Sequence, residues 1–139
     1  MADLTITAAS VAAGSGAVLL QETAGATLTR GMPVYRDTTA NGKLLGCDAD
    51  VLASSQCIGI LLEDVADTQK CLVMKSGTLT VGATVTVGLA YGISTTAGKI
   101  APMTDLASGD FPVFLGFADS TTTIVIPRGG PIVCGVDKA

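Results

Sequence analysis

The chain has 139 residues, a mass of 13.8 kDa, 48% apolar and only 14% charged residues, and a net charge of −4. That length fits one domain with a core of its own, stable without a metal or disulfide staple. The lack of histidine excludes imidazole-based nucleophile activation and imidazole metal ligation, and the five aromatics, eight basic residues and acidic pI disfavour nucleic-acid and anionic-membrane surfaces.

In chain order, the opening Met1-Ala2-Asp3-Leu4 lacks a basic region and an apolar run, so no signal peptide is expected and synthesis in the cytosol follows. Leu4, Thr5, Ile6 and Thr7 alternate apolar and polar, as a half-buried strand does. Residues 8–16 are small and uncharged. Residues 1–22 therefore read as an N-terminal arm and linker, and 23–139 as a single β domain. Residues 27–29, 70–75, 78–81 and 122–126 carry the β-branched alternation of strands. The densest apolar run, 57–62, ends at Glu63 and is far short of the roughly 20 residues a membrane helix needs. Only 48–55 and 104–107 suggest a helical turn. Seventeen glycines and five prolines punctuate the rest, and the fold expected is all-β, a small barrel or sandwich.

An internal repeat organises this domain. Residues 25–31 match 82–88, 37–44 match 94–100 with one gap, and Ile58-Gly59-Ile60 matches Leu115-Gly116-Phe117, at an offset near 57. A tyrosine follows the first block in each half, Tyr35 and Tyr91, and a weaker match sets 72–77 against 124–129. Two β units, about 24–80 and 81–136, are expected to close one shared core, because a unit of this size alone buries too little surface. Gly59 and Gly116, inside apolar strands at equivalent places, predict a bulge or a tight corner.

Candidate chemistry is sparse. Asp48, Asp50, Glu63, Asp64 and Asp67 lack the spacing of a calcium loop and read as solvated turn acids. Asp37 has Ser94 as its repeat partner, which weakens a catalytic role. Lys75-Ser76 reads as a turn rather than a nucleophile pair. Cys47, Cys57, Cys71 and Cys134 show no Cys-x-x-Cys spacing and read as reduced, partly buried thiols, with a later Cys47–Cys57 bridge left open. No catalytic, metal or cofactor site is expected. The weakly charged surface suits protein partners.

The opening Met1-Ala2-Asp3-Leu4-Thr5-Ile6-Thr7-Ala8-Ala9 resembles tailed-bacteriophage capsid decoration (cement) proteins. So does the block Ala24-Gly25-Ala26-Thr27-Leu28-Thr29-Arg30-Gly31-Met32-Pro33-Val34-Tyr35, together with Tyr91-Gly92-Ile93-Ser94, Gly98-Lys99-Ile100-Ala101-Pro102, Asp105-Leu106 and Gly109-Asp110. The resemblance implies a non-enzymatic virion protein on the outer surface of the expanded head. It would clamp major capsid protein subunits, often as a trimer, without a cofactor, a membrane or a nucleic-acid partner. Leu4, Thr5, Ile6 and Thr7 are then the expected partner interface, adding as a strand to a capsid sheet edge. The alternative for this segment is that it completes the chain's own barrel. Alternative functions are another virion β-module (head fibre, tail or receptor-binding piece) or a carbohydrate-binding domain. The latter needs exposed aromatics, whereas Phe111, Phe114 and Phe117 read as core.

Overall fold

In the computed structural model, which describes residues 3–40 and 42–134, eleven strands form one curled antiparallel sheet. The strands are β1 (Ala12–Ala13), β2 (Val18–Thr23), β3 (Pro33–Asp37), β4 (Lys43–Gly46), β5 (Cys57–Leu61) and β6 (Lys70–Thr80). They continue with β7 (Ala90–Ile93), β8 (Ile100–Pro102), β9 (Val113–Ala118), β10 (Thr123–Ile126) and β11 (Ile132–Val133). The fold is all-β. Among the described residues the helical turns are short 3-10 pieces, two of which, Ala53–Ser55 and Met103–Asp105, fall within or overlap the stretches where the sequence suggests a turn.

The main path through the sheet runs β4-β3-β5-β6-β10-β9-β7-β8. It is a palindrome of the repeat: β3, β4, β5 and β6 correspond to β7, β8, β9 and β10. The register agrees residue by residue. Pro33 pairs with Ile60, Val34 with Gly59 and Tyr35 with Cys57. At an offset of 57, Ala90 pairs with Phe117, Tyr91 with Gly116 and Gly92 with Phe114. Both ladders slip at the same step, leaving Ile58 and Leu115 as the extra residues of matching bulges. The glycine beside each bulge is required by close approach. A Cβ on Gly59 would lie 2.3 Å from the Met74 carbonyl oxygen, and one on Gly116 would lie 2.2 Å from that of Val125.

Two details of the sequence alignment are corrected by this register. Tyr35 is matched by Gly92 and Tyr91 by Val34, so the two tyrosines are not equivalent. The last block is shifted by one residue: Met74, opposite Ile60, matches Val125, opposite Phe117. A one-residue slip in a strand exchanges its two faces, and the corrected register sets buried Val73 against buried Ile124.

The core is shared but lopsided. In the first half, Leu28, Val34, Leu44, Leu61 and Val73 form a cluster of their own. Their repeat partners Val85, Tyr91, Ile100, Ala118 and Ile124 belong to a larger cluster that also takes in Tyr35, Cys47, Cys57, Ile60 and Met74 from the first half. Backbone bonds tie the halves together at 2.8–3.0 Å, from Gly98 to Cys47, from Ala49 to Ser94 and from Phe111 to Ala49.

Within the stretch read from composition as arm and linker, residues 12–13 and 18–23 are paired strands joined by a turn. β1 and then β2 run antiparallel to β6, with an irregularity between Val18 and Leu19. Small residues suit this course because the backbones nearly touch: a Cβ on Gly14 would lie 2.9 Å from the Thr78 oxygen, and one on Gly77 would lie 2.7 Å from Ala17. Arg36 of β3 fixes β2 further, donating from Nε and Nη2 to the two carboxylate oxygens of Glu22 at 3.1 and 2.6 Å. That hydrogen bond is the main reason the Arg36 guanidinium is held above its ordinary value. The boundaries expected at 136 and 139 lie outside the described residues.

Candidate functional site

Leu4, Thr5, Ile6 and Thr7 lie on the chain's own domain. The Leu4 amide donates to the Ile100 carbonyl and the Thr7 amide to that of Gly82, both at 2.8 Å. Leu4 and Ile6 are half-buried against the shared core, while Thr5 and Thr7 are exposed. The Asp3 carboxylate accepts a 2.5 Å hydrogen bond from the Ser94 hydroxyl. Ser94 in turn accepts from the Thr96 amide at 3.0 Å, as Asp37 does from the Thr39 amide in the other half. Asp37 and Ser94 thus share one role, closing equivalent turns.

Three further acids also serve the backbone. Asp48 accepts from the Asp50 amide, Glu63 from the Leu72 amide and Asp64 from the Arg30 amide, each at 2.8 Å. Lys75 and Ser76 are adjacent in β6, so their side chains leave opposite faces of the strand, and Ser76 is buried. Among the described residues, no group of three or more Cys, Asp or Glu side chains is placed to hold a metal ion, and no helix is long and apolar enough to cross a membrane. The four cysteines are free thiols. Cys47, Cys57 and Cys71 are buried and Cys134 is exposed. Burial, reinforced by the neighbouring Cys57 thiol, pushes Cys47 well above the usual thiol range, and burial raises Cys71 as well. Neither group is the low-pKa thiolate that nucleophilic chemistry needs.

The aromatic residues divide unexpectedly. Tyr35 and Tyr91 are buried, and the Tyr91 hydroxyl accepts from the Thr86 amide at 2.9 Å. The phenylalanines, expected in the core, are not fully buried: Phe111 and Phe114 are half-covered and Phe117 is 47% exposed. For Phe117 the meeting of the two halves explains this: Ile60, after the matching bulge and glycine, is covered in the shared cluster, and Phe117 is not. Phe117 stands between its direct cross-strand neighbours Ala90 and Val125, which share its face of the sheet. The equivalent first-half residues Pro33, Ile60 and Met74 are all buried. One apolar strip of the repeat is therefore covered within the chain, while in its copy Phe117 is exposed and Ala90 and Val125 are half-buried.

A second feature lies beneath the N-terminal segment. A cavity of about 170 Å³ is lined by Leu4, Ile6, Arg30, Met32 and Lys99. Its floor uses Gly31 and Gly98, at φ of +93° and +76°, where a Cβ would approach Ile6 to 3.0 Å and Met32 to 2.2 Å. The Nε of Arg30 is buried without a hydrogen-bond partner, a state that costs about 1–3 kcal/mol when left uncompensated.

Comparison with protein-family models, with curated proteins and with solved structures returns no match for this chain.

Proposed function

We propose that this chain is a structural, non-enzymatic protein of a tailed-phage virion that binds the outer surface of the expanded head and braces neighbouring major capsid protein subunits. The observation that carries the reading is the strip formed by exposed Phe117 and its half-buried neighbours Ala90 and Val125, whose repeat counterparts are all buried. A duplicated fold able to cover that strip in one half leaves it partly open in the other, which is what a part seated against a neighbour requires. The resemblance of the Leu4–Tyr35 blocks to decoration proteins supplies the kind of neighbour. Few surface charges keep desolvation inexpensive over such a contact. Leu4 and Ile6 hold the N-terminal segment on the domain, and exposed Thr5 and Thr7 present it to the capsid protein. A trimer would multiply modest contacts through effective concentration.

The test is sedimentation of the full chain with empty expanded and unexpanded heads, beside a Phe117→Ser variant. Preferential binding to expanded heads, lost in the variant while its unfolding curve is kept, supports the reading. Equal indifference to both shells, or full binding by Phe117→Ser, refutes it.

A further inference from the structure

We propose that the cavity under the N-terminal segment is a carboxylate-binding site, taking a carboxylate carried on a short apolar chain, such as the end of a glutamate side chain or a small organic acid. The inference is independent of the virion reading.

Arg30 and Lys99 both line the cavity, Arg30 half-buried and Lys99 exposed at its mouth. Arg36 and Glu22 form the one ion pair among the described residues, so neither cation of the cavity is neutralised there. Asp64, the acid nearest Arg30 in the hydrogen bonding, is engaged with the Arg30 backbone amide, and Asp3 with the Ser94 hydroxyl. Two like charges around one void repel each other and attract an anion, and a guanidinium carries further donors at its two terminal nitrogens. The fork of a guanidinium fits a carboxylate, while Lys99 acts as a mobile point charge at the rim.

The walls set the rest of the ligand. Leu4, Ile6 and Met32 are apolar, so they suit methylene groups and not a wholly polar anion such as phosphate. A volume of about 170 Å³ corresponds to roughly five or six waters, enough for a carboxylate and a few methylenes. Gly31 and Gly98 keep the floor open, since any side chain there would meet Ile6 or Met32.

Titration of the full chain with sodium butyrate, followed through its backbone amide NMR signals, tests the site. Saturable shifts are expected at Arg30, Gly31 and Gly98, with none from n-butylammonium. Arg30→Gln should weaken butyrate at least tenfold and Lys99→Gln about threefold. If Arg30→Gln fails to fold, Lys99→Gln and the ammonium control decide. A peptide Ac-Ala-Glu-Ala-NH2 that binds tighter than butyrate assigns the site to acidic side chains of another protein. A peptide no tighter than butyrate assigns it to free carboxylates. Absence of saturable butyrate shifts, equal shifts with n-butylammonium, or wild-type affinity in the folded variants overturns the proposal.

Discussion

Replacing Gly59 by alanine tests the duplicated bulge directly. The new Cβ would sit 2.3 Å from the Met74 carbonyl oxygen and 2.9 Å from Val73 Cγ1. An unstrained carbon–oxygen approach is about 3.3 Å, so β5 and β6 must separate by about 1 Å at a point where both are buried. Backbone atoms cannot rotate away as a flexible side chain does. Overpacking of this kind costs about 1–3 kcal/mol, and weakening the adjacent Ile60–Met74 pairing adds about 1 kcal/mol. The expected loss is about 3 kcal/mol, or a fall of about 1.5–2 M in the urea midpoint for a chain of this size. Gly116→Ala should behave alike, because its Cβ would meet the Val125 oxygen at 2.2 Å. Gly109, at φ +96° with nothing within 4 Å of its Cβ, is the control, with a backbone cost of about 1 kcal/mol. A Gly59→Ala protein no less stable than Gly109→Ala would refute the reasoning.

Other outcomes follow from the same contacts. Ile6→Ala should cost about 1–2 kcal/mol, below the range for a fully buried isoleucine, and Thr5→Ala less than about 0.5 kcal/mol; thermal unfolding of both variants checks this, and a neutral Ile6→Ala argues against docking of the segment. An aromatic disulfide reagent should titrate one thiol quickly under native conditions, Cys134, with the buried three reacting only as the protein opens; two or more fast thiols contradict the burial. Because Cys47 and Cys71 ionise at higher pH folded than unfolded, they leave stability flat up to about pH 8, where the unfolded thiols begin to ionise. Above that pH, stability should fall by up to about 1.4 kcal/mol per pH unit for each thiol. Urea midpoints at pH 8, 9.5 and 10.5 measure the slope, which Cys47→Val should reduce.

Much of the fold was legible because its organising residues are glycines held by backbone proximity. Gly59 and Gly116 mark the same bulge in both halves, and a one-letter match at that place reports a shared geometry. Strand faces were harder to read. Residues 72–77 match 124–129 better than 123–128 by residue type, and only the partners Ile60 and Phe117 reveal the one-residue shift. The small residues of 12–17 resemble a flexible linker in composition, yet the same smallness is what permits close approach to β6. The partly open strip was illegible for a related reason. Ile60 and Phe117 are both apolar strand residues, and which one is covered depends on how the two halves meet. The cavity joins residues 4, 30 and 99, which no local spacing connects.

The bonds of the N-terminal segment also set an order of events during synthesis. Leu44 gives its carbonyl to Gly25, a neighbour within the same repeat, whereas the equivalent carbonyl of Ile100 is taken by Leu4. At about 5–20 residues per second, a ribosome makes the residues between Leu4 and Ile100 in roughly 5–20 seconds. For that time Leu4 and Ile6 have no final place to bind, so a piece made well before its partner settles late. The interval is also when these two side chains are open to chaperones or to another growing chain.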